Sequence, residues 1–411
     1  MMNRVQKRGA AWIFALVMVF GLFAGLPGVN LAVAARIHMS ARIHTGEAGD
    51  NITWRLDTRT GVLTLEGTGE MWDWEQRGAP WVAHMESITS IVIADGITTI
   101  GDRAFSVASN LTSVDMSSVI TIGYRAFSWA TSLTSIDMPN ATIIGEGAFW
   151  AATSLTSIDI PSATIIGEGA FWMATSLASI DMPNVEIIGD FAFADARSLT
   201  SVYIPAGVTY IGWGAFAVAS SLTEIRVAPG NMYYRDIDGV LFDYAAILLH
   251  TYPIGRDAVH YTIPDSATTV GGYSFYGARN LTRVYMPSVT TIGEGAFAYA
   301  SGLASVYMPG ATYIERFAFQ KTTNLTSVDI PASVTYIGQS AFGQASSLTS
   351  ATVRSRDTTF GPWVFGSTHP DFTIYGFPGS TAEAHAISFR HNFVPLDDDD
   401  SLSVPSSWAV K

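Results

Sequence analysis

Carboxylates recur at one fixed spacing in the first half of the sequence. Asp115, Asp137, Asp159 and Asp181 are each 22 residues apart, and each stands between two apolar residues. Such a row could supply oxygen ligands to a cation such as calcium, or an acidic surface to a basic partner. A third reading is that a repeat unit was copied and that its exposed carboxylates have no role. Neighbouring carboxylates about 4.8 Å apart repel by up to about 1 kcal/mol per pair in water, so the row costs stability.

The same position carries other side chains later in the chain. Tyrosine is enriched where surfaces bind, so we expect this outward position to form a contact surface for a basic or glycan partner. The later members of this predicted outward row are Tyr203, Arg226, Tyr285, Tyr307 and Asp329.

A repeated strand must position these residues. Residues 133–139 alternate apolar and polar side chains, which predicts a strand with one buried face that ends at its proline. A second short extended segment covers residues 141–144 and stops at Gly145. Small and aromatic residues at helical spacing over 148–152 then predict a short helical turn that returns the chain to the next strand.

The unit itself repeats along most of the chain. The nine residues TIIGEGAFW occur at 142–150 and again at 164–172. Copies of the core I-G-x-x-A-F occur ten times, mostly 22 or 23 residues apart, with Val270 and Ser274 replacing Ile and Ala in one copy and Glu315 replacing Gly in another. A fixed period of this length indicates a solenoid, in which each unit buries its apolar face against its neighbours. We therefore predict a β-rich repeat solenoid with Phe stacked on Phe and Ile on Ile.

The pattern L-T-S-[IV]-x-[IM]-P followed by T-x-I-G-x-x-A-F resembles the BspA-type leucine-rich repeat of bacterial and protozoan surface proteins, over residues from about 86 to 396. That family often carries Cys three residues after the Phe, where this chain mostly carries Ala, as at Ala152. Both residues are small and readily buried. The resemblance implies a leucine-rich-repeat solenoid of 22–23-residue units and adhesion to host proteins, matrix proteins or neighbouring cells.

The N-terminus has a different pattern. Residues 1–35 combine a basic start, an apolar middle and a small-residue cleavage site, which predicts a secretory signal peptide, with a retained membrane anchor as the alternative. Residues 36–49 are interpreted as an unstructured leader. Either reading of the first segment puts the remainder outside the cytoplasm, and we expect no other transmembrane segment.

The repeat array is flanked and interrupted by segments with their own signals. A hairpin and a Trp-rich stretch precede it, the latter being an apolar lid or a sugar-stacking platform. A capping box at Ser380–Glu383 opens a short helix near its end. We divide the chain into an N-terminal β cap at 50–86, a first array at 87–228, a hairpin insert at 229–259, a second array at 260–371, a C-terminal cap at 372–396 and an acidic, Ser-rich tail at 397–411.

Composition and motifs exclude several function classes. The net charge of −13 disfavours nucleic-acid binding, and the absence of Cys excludes disulfides and thiolate sites. The sequence has no H-E-x-x-H, G-x-S-x-G or P-loop motif, and its histidines lack metal-ligand spacing. We expect no catalytic activity, cofactor or metal, and an extracellular or cell-surface location. A protein or glycan partner is favoured, with self-association into an envelope structure as the alternative.

Overall fold

The computed structural model describes residues 43–397, which wind into a solenoid of short β-strands. Most coils contain a front strand, a side strand and a segment of turns that leads to the next coil. The strand predicted at residues 133–139 is reduced to an isolated bridge between Asp137 and Asp159, so the prediction of a strand there is wrong. The predicted β-rich repeat solenoid is confirmed. The predicted signal peptide, the leader up to residue 42 and the tail from residue 398 lie outside the described residues.

The front strands carry the predicted outward row, and together they are called the front sheet. Most of their polar residues face outward and most of their Val and Ile residues are buried, as in the pattern of Ser201–Ile204. Val92 and Val394 are exceptions, since both are exposed. The front strands are β5 Ser90–Ile93, β7 Ser113–Asp115, β10 Ser157–Asp159, β12 Ser179–Asp181, β14 Ser201–Ile204, β16 Glu224–Val227, β20 His260–Thr262, β22 Arg283–Tyr285, β24 Ser305–Tyr307, β26 Ser327–Ile330, β28 Ser350–Val353, β30 Thr373–Gly376 and β31 Asn392–Pro395.

The side strands form a parallel sheet in each of the two arrays. Ile166 pairs with Ile144 of the preceding coil and with Ile188 of the following one, so equivalent residues are stacked in register. The side strands of the array are β6 Ile97–Ile100, β8 Thr121–Ile122, β9 Ile143–Ile144, β11 Ile165–Ile166, β13 Ile187–Ile188, β15 Tyr210–Ile211, β21 Thr269–Val270, β23 Thr291–Ile292, β25 Tyr313–Ile314, β27 Tyr336–Ile337 and β29 Thr359–Phe360.

The third segment of each coil consists of tight turns, and its outer surface is called the turn face. Ala148 donates its amide to Gly145 three residues earlier, whereas Phe149 donates to Ala170 in the next coil at 2.7 Å. The predicted short helical turn is therefore replaced by turns. Gly147 has φ +60°, in the left-handed region that a right-handed helix excludes.

A column of stacked phenylalanines runs through the core. The rings of Phe149 and Phe171 are 5.2 Å apart and 3° from parallel, and both side chains are fully buried. At the N-terminal end Trp81 continues the column over Phe105 at 5.3 Å, and its indole Nε1 donates to the carbonyl of Ala104 at 2.8 Å. The lid interpretation of the Trp-rich stretch is thereby supported at Trp81.

The N-terminal cap is a sheet of antiparallel strands that continues into the front sheet. The predicted hairpin is confirmed, but residues 43–49, interpreted as leader, form a further strand. Small and polar residues there gain backbone hydrogen bonds at the open edge of the hairpin, and Gly46 admits the ring of Trp54, since a Cβ would lie 2.7 Å from its Nε1. The cap consists of β1 Ile43–Gly49, β2 Ile52–Asp57, β3 Val62–Gly67, β4 Gly69–Glu70 and a 3-10 helix at Val82–Ser87.

The C-terminal cap contains helix α1, Thr381–Phe389, between β30 and β31. The predicted capping box is confirmed in its first half, because Ser380 accepts a hydrogen bond from the amide of Glu383. The Glu383 carboxylate accepts from the amide of Gly379 instead of that of Ser380. No helix within residues 43–397 is long and apolar enough to span a membrane.

The insert divides the hydrophobic core into two clusters of buried residues. Its strands are β17 Tyr234–Ile237, β18 Val240–Asp243 and β19 Leu248–Thr251, paired antiparallel. The predicted hairpin therefore gains a third strand. β19 also pairs in parallel with β21, so the insert becomes part of the side sheet of the second array.

Side chains of the insert replace a missing strand at the end of the first array. The amide of Ile211 donates to the Tyr234 hydroxyl at 2.8 Å, and the carbonyl of Ile211 is 2.8 Å from Nε2 of His250. Nδ1 of His250 is 2.9 Å from the Thr251 hydroxyl, which fits a neutral ring that donates from Nε2. In the front sheet the Asp236 carboxylate accepts from the amide of Val227 at 2.9 Å.

Stability should fall in acid because His250 is buried. Burial lowers the pKa of His250 from 6.5 to about 4, against weaker opposing effects of its bond to Ile211 and of Asp190 and Asp243. The unfolded chain therefore binds the proton first, and stability is lost as pH falls from about 6.5 towards 4, by about 3 kcal/mol. Thermal unfolding of the wild type and His250→Gln, measured between pH 7.5 and 4.5, should give the shallower pH dependence in the variant.

Other histidines with lowered pKa values do not affect the comparison between the wild type and His250→Gln. Burial also lowers the pKa values of His84, His385 and His391, but these residues are present in both proteins. Equal pH dependence of the two melting temperatures would contradict the role assigned to His250.

Candidate binding surface

The outward row is stacked in register on the front sheet, as its spacing predicts. Asp115 is placed beside Val92, and Asp329 beside Thr352. The insert separates the row into a part that ends at Arg226 and a part that begins after it. Members of the row paired with each other are Asp137 and Asp159, Asp159 and Asp181, Tyr203 and Arg226, and Tyr285 and Tyr307.

The four aspartates of the first part are called the acidic patch. All four are exposed. Among residues 43–397 their carboxylates make no hydrogen bond or ion pair, and no group of three or more His, Cys, Asp or Glu residues could hold a metal ion. The arrangement therefore gives no support to the calcium interpretation and leaves the carboxylates open to a partner.

Two charged members of the row form ion pairs with other residues of the chain. Arg226 forms ion pairs with Glu224 at 3.0 Å and with Asp236 of the insert at 3.3 Å. Asp329 accepts two hydrogen bonds from the guanidinium of Arg354, at 2.7 and 3.1 Å. A partner would have to exchange these ion pairs, so both residues are poorer candidates for contact than the acidic patch.

The tyrosine pair, Tyr285 and Tyr307, offers hydroxyl groups rather than ring faces. The two rings are 4.5 Å apart and 11° from parallel, and each is half-buried. Burial and the neighbouring Tyr285 raise the pKa of Tyr307, which keeps its phenol protonated at neutral pH. Tyr203 differs, since 57% of its surface is exposed.

A second surface, on the turn face, is not predicted by the sequence analysis. Its aromatic rings touch from coil to coil, with centroids of successive rings 5.1 to 6.1 Å apart. This aromatic belt consists of Trp129, Trp150, Trp172, Phe191, Tyr273, Tyr276 and Tyr299. Its members occupy three different positions of the repeat, so no single repeat position predicts the belt. The sequence signal for it is the high number of aromatic residues next to the A-F pair.

The solenoid of paired front and side strands, with one Phe column per core, is the architecture of a leucine-rich repeat protein. The family model described as BspA type Leucine rich repeat region matches residues 82–183, 142–248 and 257–370. These matches cover more than half of the sequence. The chain belongs to the BspA-type leucine-rich repeat family.

Solved structures agree with this assignment. A leucine rich cell surface protein from Faecalibacterium prausnitzii is 25% identical, with a TM-score of 0.68 over 84% of this chain and 97% of its own. A leucine-rich repeat protein from Eubacterium ventriosum is 22% identical, with a TM-score of 0.56 over 79% and 95%. The pneumococcal vaccine antigen PcpA is 18% identical, with a TM-score of 0.58 over 86% and 99%. No curated protein sequence matches the chain.

Repulsion within the acidic patch leads to a prediction about stability. Asp159 is paired on both sides with aspartate, so Asp159→Asn should raise the free energy of unfolding at low salt by up to about 1 kcal/mol for each of the two pairs. The gain should shrink in 1 M NaCl, where charges are screened within about 3 Å. Urea unfolding at the two salt concentrations measures both effects. The control is Asp265→Asn, an exposed aspartate outside the row; equal behaviour of the two variants would contradict the repulsion.

Proposed function

We propose that this chain is a secreted or surface-displayed binding protein whose outward row contacts an extracellular protein or glycan, and that it serves in adhesion. The observation that carries the proposal is the in-register row on the front sheet, with carboxylates open to a partner and a stacked tyrosine pair. The proposal assigns the chain no catalytic step.

Rigid display is the proposed mechanism. Outward side chains such as Asp159 and Tyr203 are mounted on strands that pair with a neighbouring strand and are backed by buried Val or Ile. The groups are therefore ordered before binding, and little additional backbone entropy is lost when a partner docks. Several weak contacts in fixed register then accumulate affinity.

The chemistry of the row favours a partner with basic or hydrogen-bonding groups. The acidic patch attracts Lys and Arg side chains and speeds their encounter at low salt. The tyrosine pair can donate hydrogen bonds to carbonyl, carboxylate or sugar oxygens. The chain belongs to the BspA-type family, and it is similar to a leucine rich cell surface protein and to a pneumococcal vaccine antigen. These similarities support an extracellular or cell-surface location, where such partners occur.

Self-association in an envelope structure is the second candidate. Within residues 43–397, β1 pairs only with β2 and β31 only with β30, so each end of the front sheet presents an edge strand. Exposed edges pair readily with another chain. End-to-end assembly of copies would use these edges and would leave the outward row free.

The row is tested by replacing the tyrosine pair. Wild type and Tyr285→Ala/Tyr307→Ala should be compared on an array of matrix proteins and glycans, with the expectation that the variant loses at least tenfold in affinity for a bound partner. The matched control is Tyr313→Ala/Tyr336→Ala, which removes a similar stacked pair, 4.6 Å apart, from the side sheet. Equal losses in the two variants would point to stability rather than contact.

Sedimentation analysis of the same samples separates the two candidates. Binding without oligomers supports the adhesive role. Concentration-dependent oligomers, with no partner on the array, would replace it with the structural role.

A further inference from the structure

Three of the seven members of the aromatic belt are exposed in spite of their apolar character, and the other four are half-buried. Trp129, Trp172 and Tyr299 expose 44%, 42% and 41% of their surface. The rings of Trp129 and Trp150 meet edge to face at 64°, whereas those of Trp150 and Trp172 are stacked with their centroids 5.9 Å apart. Continuous apolar surface of this kind on a soluble fold marks a contact site.

Four members of the belt lie in turns with a left-handed backbone, a conformation that recurs throughout the repeat. Trp129, Phe191, Tyr273 and Tyr299 have φ values from +54° to +63°. Bulky residues in this region cost about 1–2 kcal/mol each relative to glycine. Equivalent positions of other coils carry glycine, such as Gly295 for Tyr273. Other coils carry Val107, Met173 and Lys321 at the position of Trp129 and Tyr299, with φ +63°, +62° and +58°. The conformation therefore belongs to the repeat, and the turn accepts aromatic residues without requiring them.

The charged residues around the belt limit which class of ligand can bind there. Glu146 and Glu168 are exposed in the turns that precede Trp150 and Trp172. Arg125 and Lys321 lie over the rings of Trp150 and Tyr299, with charged atoms 4.7 and 4.5 Å from the centroids. Carboxylates along the belt repel a polyanion, whereas both charge types can hydrogen-bond neutral hydroxyl groups.

The shape of the belt limits the occupant further. It follows the solenoid axis with a coil spacing of about 4.8 Å and is only one or two side chains wide. A globular protein partner needs a broader area, about 800 Å² on each side of a stable interface. An extended polymer with repeating units, apolar C–H faces and hydroxyl edges fits a narrow strip of this composition.

We propose that the aromatic belt binds a linear, neutral polysaccharide along the turn face. Sugar rings contact the exposed parts of the indole and phenol faces, and Glu146 and Glu168 accept hydrogen bonds from sugar hydroxyls. This site is separate from the outward row, and the two can be tested independently.

Depletion from solution by insoluble β-1,4-glucan, chitin, β-1,3-glucan and mannan, beside a heparin resin, tests the proposal. Wild type should be retained by at least one neutral polysaccharide more strongly than by heparin. Trp129→Gly/Tyr299→Gly should reduce that retention at least tenfold while the variant keeps a cooperative thermal unfolding transition, because glycine adopts the positive φ of both positions without strain.

Matched controls make the outcome decisive. Gln344→Gly/Ser367→Gly relieves positive φ in later turns outside the belt and should keep full retention. Tyr285→Ala/Tyr307→Ala on the front sheet should also keep it, so failure of the outward row and failure of the belt are distinguishable. Retention by heparin alone, by no neutral polysaccharide, or unchanged retention in the belt variant would each overturn the proposal.

Discussion

The fold depends on one constraint: each coil completes the core and the backbone pairing of its neighbours. Phe149 has little to pack against without Phe127 and Phe171, which lie on its two sides at 5.3 and 5.2 Å. Strand pairing at about 4.8 Å forces equivalent side chains into contact, so residues that stack well on themselves are favoured at every buried position. Repetition of the sequence follows from that requirement.

The same constraint explains the special side chains at each interruption. Trp81 covers the first phenylalanine, Tyr252 stacks on Phe275 at 4.7 Å where the second column begins, and His250 with Tyr234 satisfies the last strand of the first array. Outward positions are free of the constraint and can carry carboxylates, tyrosines or strained aromatics. Side chains that could bind a partner are therefore carried on the surface at a modest cost in stability.

Much of the fold could be predicted because the repeat pattern directly indicates which residues are buried and which face outward. The I-G-x-x-A-F core gives the buried column, and strand alternation gives the outward row. The strand at 43–49 could not be predicted, since its stability comes from a neighbouring edge rather than from its own pattern. The spacing of small and aromatic residues over 148–152 wrongly predicts a helical turn, because spacing does not reveal the sign of φ at Gly147. The Asp329–Arg354 ion pair joins successive coils over 25 residues and depends on the packed structure.

Hydrogen exchange of backbone amides tests most directly the claim that neighbouring coils stabilise one another. Ile166 has a paired strand on each side, whereas the amide of Ile211 donates to a side-chain hydroxyl. The account predicts that Ile166 exchanges at least tenfold more slowly than Ile211 and than the strand at Asn392–Pro395. Equal exchange rates along the array, or fastest exchange at Ile166, would contradict it.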